Sequence, residues 1–364
     1  MKEGKDIVDL SAGFIAGIVA GSLVLPQREH AFLYASLCFS CLCICITLIW
    51  HFHLRKMSVI HILMFITGLS CIFTSQSSSA FALFPAGEAD LFVSLSERTA
   101  SLIDTIPFSS PDCNALMKAL TLGDKTSLDP KVTAAFRESG AAHILALSGL
   151  HLGILYMILS KLLRLAGNYP LTRILRSVSI ILMTGIYVLA TGASPSLVRA
   201  WLFILLNEIA FLTCRKTNLS RILCSALFIQ LVLDPEVIGN VGFQLSYLAM
   251  AGICWIYPFM KGWYPEAENG GRDLPIMRKL WDMASLTLSC QLTTAPAVLY
   301  YFGTLPRYFL VTNLIALPLT TFSMSFLLLI LGLSTIGICP TILTDIGSCL
   351  LEALMYVMKI ISEL

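Results

Sequence analysis

Eight polar side chains lie within or at the ends of long apolar stretches, where such groups are uncommon. A polar group that faces lipid is costly, so side chains of this kind usually face a cavity or one another. The sequence therefore predicts a polar pathway between helices, without identifying what passes along it. The alternative is ordinary helix packing, in which each histidine bonds to a neighbouring carbonyl group. The predicted substrate-pathway residues are His143, Ser148, His151, Arg199, Gln244, Ser246, Gln291 and Asn313.

Arg199 is a cation well inside an apolar stretch, about one turn after Ser194 and Pro195. On insertion scales an arginine at the centre of a membrane helix costs about 2.5–3.5 kcal/mol, and less near its end. Glu208 lies on the same face, about 13 Å further along a helix that rises about 1.5 Å per residue. The two side chains are therefore not expected to pair directly.

Glycine and proline indicate where helices approach closely or break. Gly149 and Gly153 are four residues apart beside His151, a spacing that predicts close helix packing. A similar stripe of small residues runs through Gly13, Gly17 and Gly21. Asn313 and Pro318 predict a broken helix, or two half-helices, within residues 308–333.

A serine hydrolase is one alternative that the sequence leaves open. Ser148-Gly149 resembles the serine motif of rhomboid-type proteases, but Ala146 stands where a glycine is expected. His151 follows on the same helix, where a Ser–His bond in attack geometry is hard to form. We therefore predict no catalytic residues and no enzyme activity.

Metal chemistry has little support. His51, His53 and His61 could form a site, but no carboxylate accompanies them. Most of the twelve cysteines lie in apolar runs and fit no zinc spacing. The HxHxDH cluster needed for zinc-assisted phosphodiester cleavage is absent from the sequence. We predict no metal, no cofactor and no nuclease activity.

The helices that position these residues follow from composition. The chain is 57% hydrophobic and 13% charged, whereas soluble domains contain about 25% charged residues. A helix needs about 20 mostly apolar residues to cross a bilayer. The sequence predicts an all-α integral membrane protein with about 10–11 transmembrane helices. Candidate spans are 8–25, 31–50, 58–74, 142–163, 174–192, 195–213, 220–234, 237–258, 283–302, 308–333 and 341–360.

Lysine and arginine predict the orientation, because they are enriched in cytoplasmic loops. With the N-terminus inside, most of these residues fall in inside loops, and the short outside loops hold only Arg28 and Arg307. Residues 75–141 then lie outside, in the periplasm or its equivalent. The pattern predicts amphipathic helices at 88–106 and 112–122, and a third helix beginning with Asp129 and Pro130. They rest on the outer membrane surface or the rim of an opening, or they form a packed cap with no role beyond structure.

Four segments in order carry a family resemblance. They are ALTLGDKTSLDPKVTAAFRESGAAHILALSGLHLGIL at 119–155, SPSLVRA at 194–200, LDPEVIGNVGFQLSYLAMAGI at 233–253 and TNLIALPL at 312–319. Together they resemble the competence-related ComEC family of inner-membrane DNA-uptake proteins. Structural motif residues within these segments are Gly149, Gly153, Pro195, Phe243 and Pro318.

The resemblance implies a channel in the bacterial inner membrane that imports single-stranded DNA during natural transformation. It further implies single-stranded DNA and other competence proteins as partners besides the lipid bilayer, and a homo-oligomer is one expectation. A small-solute secondary transporter is the main alternative, since a broken helix fits that class equally well.

The sequence departs from longer relatives of this family. Residues 75–141 are too few for the periplasmic OB-fold module, and no C-terminal metallo-β-lactamase-like module is recognisable. These departures are expected of a truncated or divergent member. The predicted domains are N-terminal transmembrane hairpins at 1–80, a periplasmic linker with amphipathic helices at 81–141, and a competence-type membrane core at 142–364.

Overall fold

The protein is helical throughout the part of the chain described by a computed structural model. The described residues are 2–23, 38, 57–77, 86–165, 167, 169–214, 218–264, 275–337 and 340–363, and none of them forms a β-strand. A 3₁₀ turn at Pro235–Gly239 and a π-helical turn at Gly252–Ile256 accompany the α-helices. The α-helices are α1 (Lys2–Leu23), α2 (Met57–Ser77), α3 (Ala86–Asp104), α4 (Pro111–Leu122), α5 (Pro130–Glu138), α6 (Ala142–Leu145), α7 (Gly149–Arg164), α8 (Pro170–Ala190), α9 (Pro195–Leu212), α10 (Leu219–Leu233), α11 (Val241–Ala251), α12 (Tyr257–Lys261), α13 (Pro275–Phe302), α14 (Phe309–Ser334) and α15 (Thr341–Ser362).

Five helical stretches within the described residues are long and apolar enough to cross a membrane. Three shorter apolar helices occur at Ser11–Ser22, Ile60–Ile72 and Leu219–Leu233. The prediction of an all-α, multi-pass membrane protein is therefore confirmed. Of the predicted span at 31–50 the structure describes only Cys38, and His51 and His53 lie outside the described residues. The five long stretches are Pro170–Ala190, Pro195–Leu212, Val241–Lys261, Phe309–Ser334 and Thr341–Ser362.

The chain forms two compact units, Met1–Pro85 with Thr213–Tyr247 and Ala86–Leu212 with Leu248–Leu364. The domain boundaries predicted at residues 80 and 141 remain a prediction. In the first unit, α2 packs along the glycine stripe of α1, as predicted. A Cβ atom built at Gly17 would overlap the carbonyl group of Phe65. Phe14 stacks on Phe228 of α10, with 4.6 Å between ring centroids.

The main core of the second unit joins α4 and α5 to α14 and α15. Seven residues of α4 are buried, and Phe136 of α5 is fully buried. Segment 111–138 therefore packs against α14 and α15, and its predicted position at the outer membrane surface stays a prediction. The predicted N-cap Asp129 is confirmed, since its carboxylate accepts a hydrogen bond from the Lys131 amide at 2.8 Å. Core residues include Leu116, Met117, Leu120, Leu327, Ile330, Leu351 and Leu354.

The turn between α3 and α4 lies beside α15. The Ser109 amide donates to Ser348 Oγ at 3.0 Å, and the Ser109 hydroxyl donates to Glu352 Oε1 at 2.5 Å. Further along the chain, the Ser139 hydroxyl contacts Met358 Sδ at 3.4 Å. Ser348 and Met358 are about 15 Å apart along the helix axis at about 1.5 Å per residue. The segment from Ser109 to Ser139 thus follows α15 over that length.

Two predicted spans differ from the structure. The span predicted at 142–163 is divided, because α6 ends at Leu145 and α7 begins at Gly149 after an extended Ser148. The break predicted at Asn313–Pro318 is wrong, since α14 continues through Pro318. Proline within a helix removes one backbone hydrogen bond. Packing against neighbouring helices stabilises such a helix in a membrane, and Ala316 and Thr320 on either side of Pro318 are buried.

Candidate functional site: a polar interior and a basic cleft

Ser148 and His151 form the N-terminal cap of α7. The Leu150 amide donates to Ser148 Oγ at 3.3 Å, and the Ser148 amide donates to His151 Nδ1 at 3.1 Å. The serine hydroxyl also lies 3.1 Å from His151 Nδ1. The two side chains therefore meet within the cap. They meet because Ser148 precedes the helix in an extended conformation, which turns its side chain toward the first helical turn.

His151 is the more buried of the two predicted histidines, with 1% of its surface exposed. Its Nδ1 accepts a hydrogen bond, so a neutral ring carries its proton on Nε2. That Nε2 atom has no hydrogen-bond partner among the described residues. His143, by contrast, is exposed on α6, where Nδ1 lies 3.2 Å from the Gly140 carbonyl. The structure thus separates the histidines into one interior and one surface group.

Arg199 lies in the first half of α9, which begins at Pro195 as predicted. Its side chain is 8% exposed. A Cβ atom built at Gly149 would stand 3.3 Å from Arg199 Nη2, so the glycine allows the guanidinium to approach α7. Gly153 does not take part, because no atom lies within 4 Å of a Cβ built there. The predicted close approach is confirmed at Gly149 and wrong at Gly153, which points away from the packed side of α7.

Glu208 is held by two other helices. The Tyr156 hydroxyl of α7 donates to Oε1 at 2.8 Å, and the Ser177 hydroxyl of α8 donates to Oε2 at 2.6 Å. Only 4% of Glu208 is exposed. The sequence excluded a direct pair with Arg199 but did not identify these partners. Tyrosine and serine occur throughout the chain, and only the crossing of α7, α8 and α9 selects these two.

The remaining predicted pathway residues divide between the two units. In the first unit, Gln244 donates to the Ile238 carbonyl at 2.9 Å, and Phe243 stacks on Tyr247 at 4.6 Å. Ser246 is half-buried nearby in sequence. In the second unit, Gln291 of α13 is half-buried, and Asn313 Oδ1 of α14 is buried without a hydrogen-bond partner among the described residues. A single pathway lined by all of these residues remains a prediction.

A cleft of about 890 Å³ lies between two loops of the second unit. One wall comes from residues 125–138, spanning the loop after α4 and helix α5. The other comes from residues 304–308, between α13 and α14. Three cations line the cleft, Lys125, Arg137 and Arg307, against one carboxylate, Glu138. We call this site the basic cleft.

The walls of the basic cleft are fixed by close packing. Gly140 has φ +82°, and a Cβ built there would lie 2.6 Å from Pro306 Cβ. Thr312 Oγ1 donates to the Ser139 carbonyl at 2.7 Å. The predicted topology assigns both loops to one side of the membrane.

The loop that carries Lys125 is shaped by Asp124. The Thr126 hydroxyl and amide donate to Asp124 Oδ1 at 2.6 and 2.9 Å. These hydrogen bonds, the one from the hydroxyl first, lower the pKa of Asp124 below its usual value. A lowered pKa contributes stability above the unfolded-state value, and this contribution is lost only as pH falls through the folded-state value. The loop therefore keeps this turn at neutral pH.

The sequence did not identify the basic cleft as a site. Arg307 belongs to the charge pattern of the outside loops, and Lys125 and Arg137 lie in the segment predicted as a periplasmic linker with amphipathic helices. The sequence did contain a signal for the cleft. In the predicted topology the short outside loops are poor in lysine and arginine, so a cation such as Arg307 there needs a local explanation. Within the described part of the chain, no three histidine, cysteine, aspartate or glutamate residues form a cluster that could hold a metal ion.

The fold and the polar interior define a multi-pass helical membrane protein. A family model described as Competence protein matches residues 120–364. This match covers more than half of the chain, so the protein belongs to that family. The predicted resemblance to the membrane core of the ComEC family is thereby confirmed.

Two curated relatives support this assignment. The chain is 27% identical to ComE operon protein 3 of Bacillus subtilis over 212 residues, covering 58% of this chain and 25% of the relative. It is 26% identical to Uncharacterized protein YcaI of Escherichia coli over 214 residues, covering 57% and 28%. The chain thus aligns with about a quarter of the length of these relatives. No solved structure matches it.

Proposed function

We propose that this protein forms the membrane passage of a DNA-uptake system and conducts a single DNA strand across the cytoplasmic membrane during natural transformation. Membership of the Competence family supports the cargo class. The observation that carries the proposal is Arg199, a cation that is 8% exposed on a helix able to span the membrane. A buried ionisable group within such a helix is costly and usually functional.

The position of Arg199 suits contact with a moving strand. In the predicted orientation α9 begins on the outer side, so Arg199 lies near the outer end of the passage. A guanidinium there would attract phosphate groups one at a time, with an attraction that weakens as salt rises. A conduit also has to release its cargo, and few deep cations favour passage over tight binding. His151, Gln291 and Asn313 would add uncharged polar groups to the lining.

Arg199 provides the test. Arg199→Ala should abolish or sharply reduce uptake of labelled DNA in a competence-null strain, while protein insertion stays near wild type. Arg199→Lys should retain part of the activity, because charge matters more than bidentate geometry for a sliding strand. Arg164→Ala is the matched control, since it removes an exposed arginine at the opposite end of α7. Uptake is normalised to membrane-inserted protein, and a normalised value near wild type for Arg199→Ala would contradict the proposal.

Two alternatives carry less support. A small-solute transporter was favoured by a broken helix, and α14 is continuous. A serine hydrolase would use Ser148 with His151, but the serine hydroxyl also accepts from the Leu150 amide as a helix cap. We further propose that the passage works with other competence proteins. We also propose a homo-oligomer of this chain as one form in which the passage assembles.

A further inference from the structure

We infer that the basic cleft binds the sugar-phosphate backbone of a single nucleic-acid strand before the strand enters the passage. This inference rests on the proposed function for the identity of the strand. It adds a binding site on residues 125–138 and 304–308, which include none of the predicted pathway residues.

The first argument is the unneutralised charge. Lys125, Arg137 and Arg307 are exposed in the cleft. Within the described part of the chain, none of the three side chains forms an ion pair or a hydrogen bond. Lys118, on the preceding helix, shows the contrasting behaviour, with an ion pair to Asp104 at 2.7 Å. The cleft therefore presents cations that the fold itself does not use.

The second argument is shape. Lys125 and Arg137 lie on one wall and Arg307 on the other, so an anionic ligand between the walls meets positive charge from both sides. The volume of about 890 Å³ lies in the range of real ligand sites, which is about 300–1,000 Å³. It therefore has room for a ligand larger than a single phosphate group. Glu138 opposes only part of this charge.

The third argument distinguishes a strand from a lipid headgroup. Tyr308 lines the cleft beside Arg307 and is 40% exposed. Sites for single strands combine cations that follow the backbone with aromatic faces on which bases stack. An anionic lipid headgroup, the kind that three cations would attract, has no base that could stack on this ring. The combination of three cations and Tyr308 therefore favours a nucleic-acid strand.

The fourth argument is rigidity. Gly140 packs against Pro306, and Thr312 bonds to the Ser139 carbonyl at 2.7 Å. The spacing between the two walls is thus set by the fold and not by the ligand. A preformed site loses less free energy to conformational ordering when its ligand binds.

The test measures binding of a labelled oligothymidylate to purified full-length protein in zwitterionic nanodiscs at several salt concentrations. The variants are Lys125→Gln, Arg137→Gln and Arg307→Gln. Each should weaken binding several-fold at low salt and reduce the slope of log affinity against log salt by about 0.7. Lys131→Gln is the matched control, because it removes one charge from the exposed side of the same helix, α5, but lies outside the cleft. It should leave the slope unchanged.

Several outcomes overturn the inference. Equal effects of Arg137→Gln and Lys131→Gln would show that only overall charge matters. If the variants, in nanodiscs that also contain phosphatidylglycerol, retain less of that lipid than wild type while their oligonucleotide binding is unchanged, the cleft is a lipid site. Arg137→Lys guards against a folding defect, since it keeps the charge and should restore the slope.

The inference and the proposed function can fail separately. If cleft variants bind the oligonucleotide normally while Arg199→Ala still abolishes uptake, the cleft inference falls and the conduit stands. If the cleft variants behave as expected but the wild-type protein supports no uptake in the null strain, the cleft remains a nucleic-acid site and the conduit proposal falls.

Discussion

The polar interior at α7, α8 and α9 and the basic cleft use charged side chains in opposite ways. In the interior, Glu208 is 4% exposed and its two carboxyl oxygens accept hydroxyl groups from Tyr156 and Ser177. In the cleft, Lys125 and Arg137 are exposed without partners among the described residues. A buried charge must be satisfied by the fold, whereas an exposed cation is free to attract a ligand. Substitution of Glu208 should therefore affect stability, and substitutions of the cleft cations should affect binding.

The largest effect is expected from Glu208→Ala. This change leaves the Tyr156 and Ser177 hydroxyls without their acceptor, and each unsatisfied buried group costs about 1–3 kcal/mol. The free energy of unfolding should fall by about 3 kcal/mol, measured by denaturation of the purified protein in detergent. Glu208→Gln keeps one carbonyl acceptor and should lose about half as much.

An exposed glutamate provides the control for Glu208. Glu97→Ala removes the same charge from the exposed side of α3 and should change stability by less than about 0.5 kcal/mol. If the two alanine variants were equally stable, the interior carboxyl group would not differ from a surface one, and the comparison between the regions would fail.

An intermediate effect is expected from Gly140→Ala, which alters the cleft without removing a charge. A non-glycine residue at the positive φ of Gly140 costs about 1–3 kcal/mol. The added methyl group also meets Pro306. Oligonucleotide affinity should fall at every salt concentration while the salt slope stays at the wild-type value, because the same cations remain.

Gly303→Ala is the control for Gly140→Ala. Gly303 has φ +69°, but a Cβ built there has no atom within 4 Å. The Gly303→Ala variant has the same cost of a positive φ but does not push the walls of the basic cleft apart. Its melting temperature should therefore fall while its affinity for the strand is retained. If both variants lost affinity for the oligonucleotide, Gly140 would not act through the spacing of the cleft walls.

The smallest effect is expected from Gly153→Ala, tested beside Gly149→Ala. Alanine at 153 meets no neighbour and raises helix propensity, so stability should stay level or rise by up to about 1 kcal/mol. Alanine at 149 would press on Arg199 and Ala200, so it should lower normalised DNA uptake. Equal behaviour of the two variants would remove the evidence that Arg199 is seated against α7.

Much of the fold was predictable because its signals are local. Apolar stretches predicted α8, α9 and α15 to within a few residues, since a helix in lipid satisfies its own backbone and needs about 20 apolar residues. Asp129 with Pro130 predicted the start of α5, because the cap and the first turn are adjacent in sequence. Arg199 was singled out for the same reason, as a cation inside an apolar run.

What the sequence by itself determined is therefore the class of the protein, the presence of costly polar groups and their order along the chain. Only the tertiary structure decided which of these groups meet. It joined Glu208 to Tyr156 and Ser177 and seated Arg199 against Gly149 but not Gly153. It also kept α14 continuous at Pro318 and brought Arg307 to the same cleft as Lys125 and Arg137. These contacts join residues far apart in the chain, and their geometry depends on how whole helices cross, which no local pattern records.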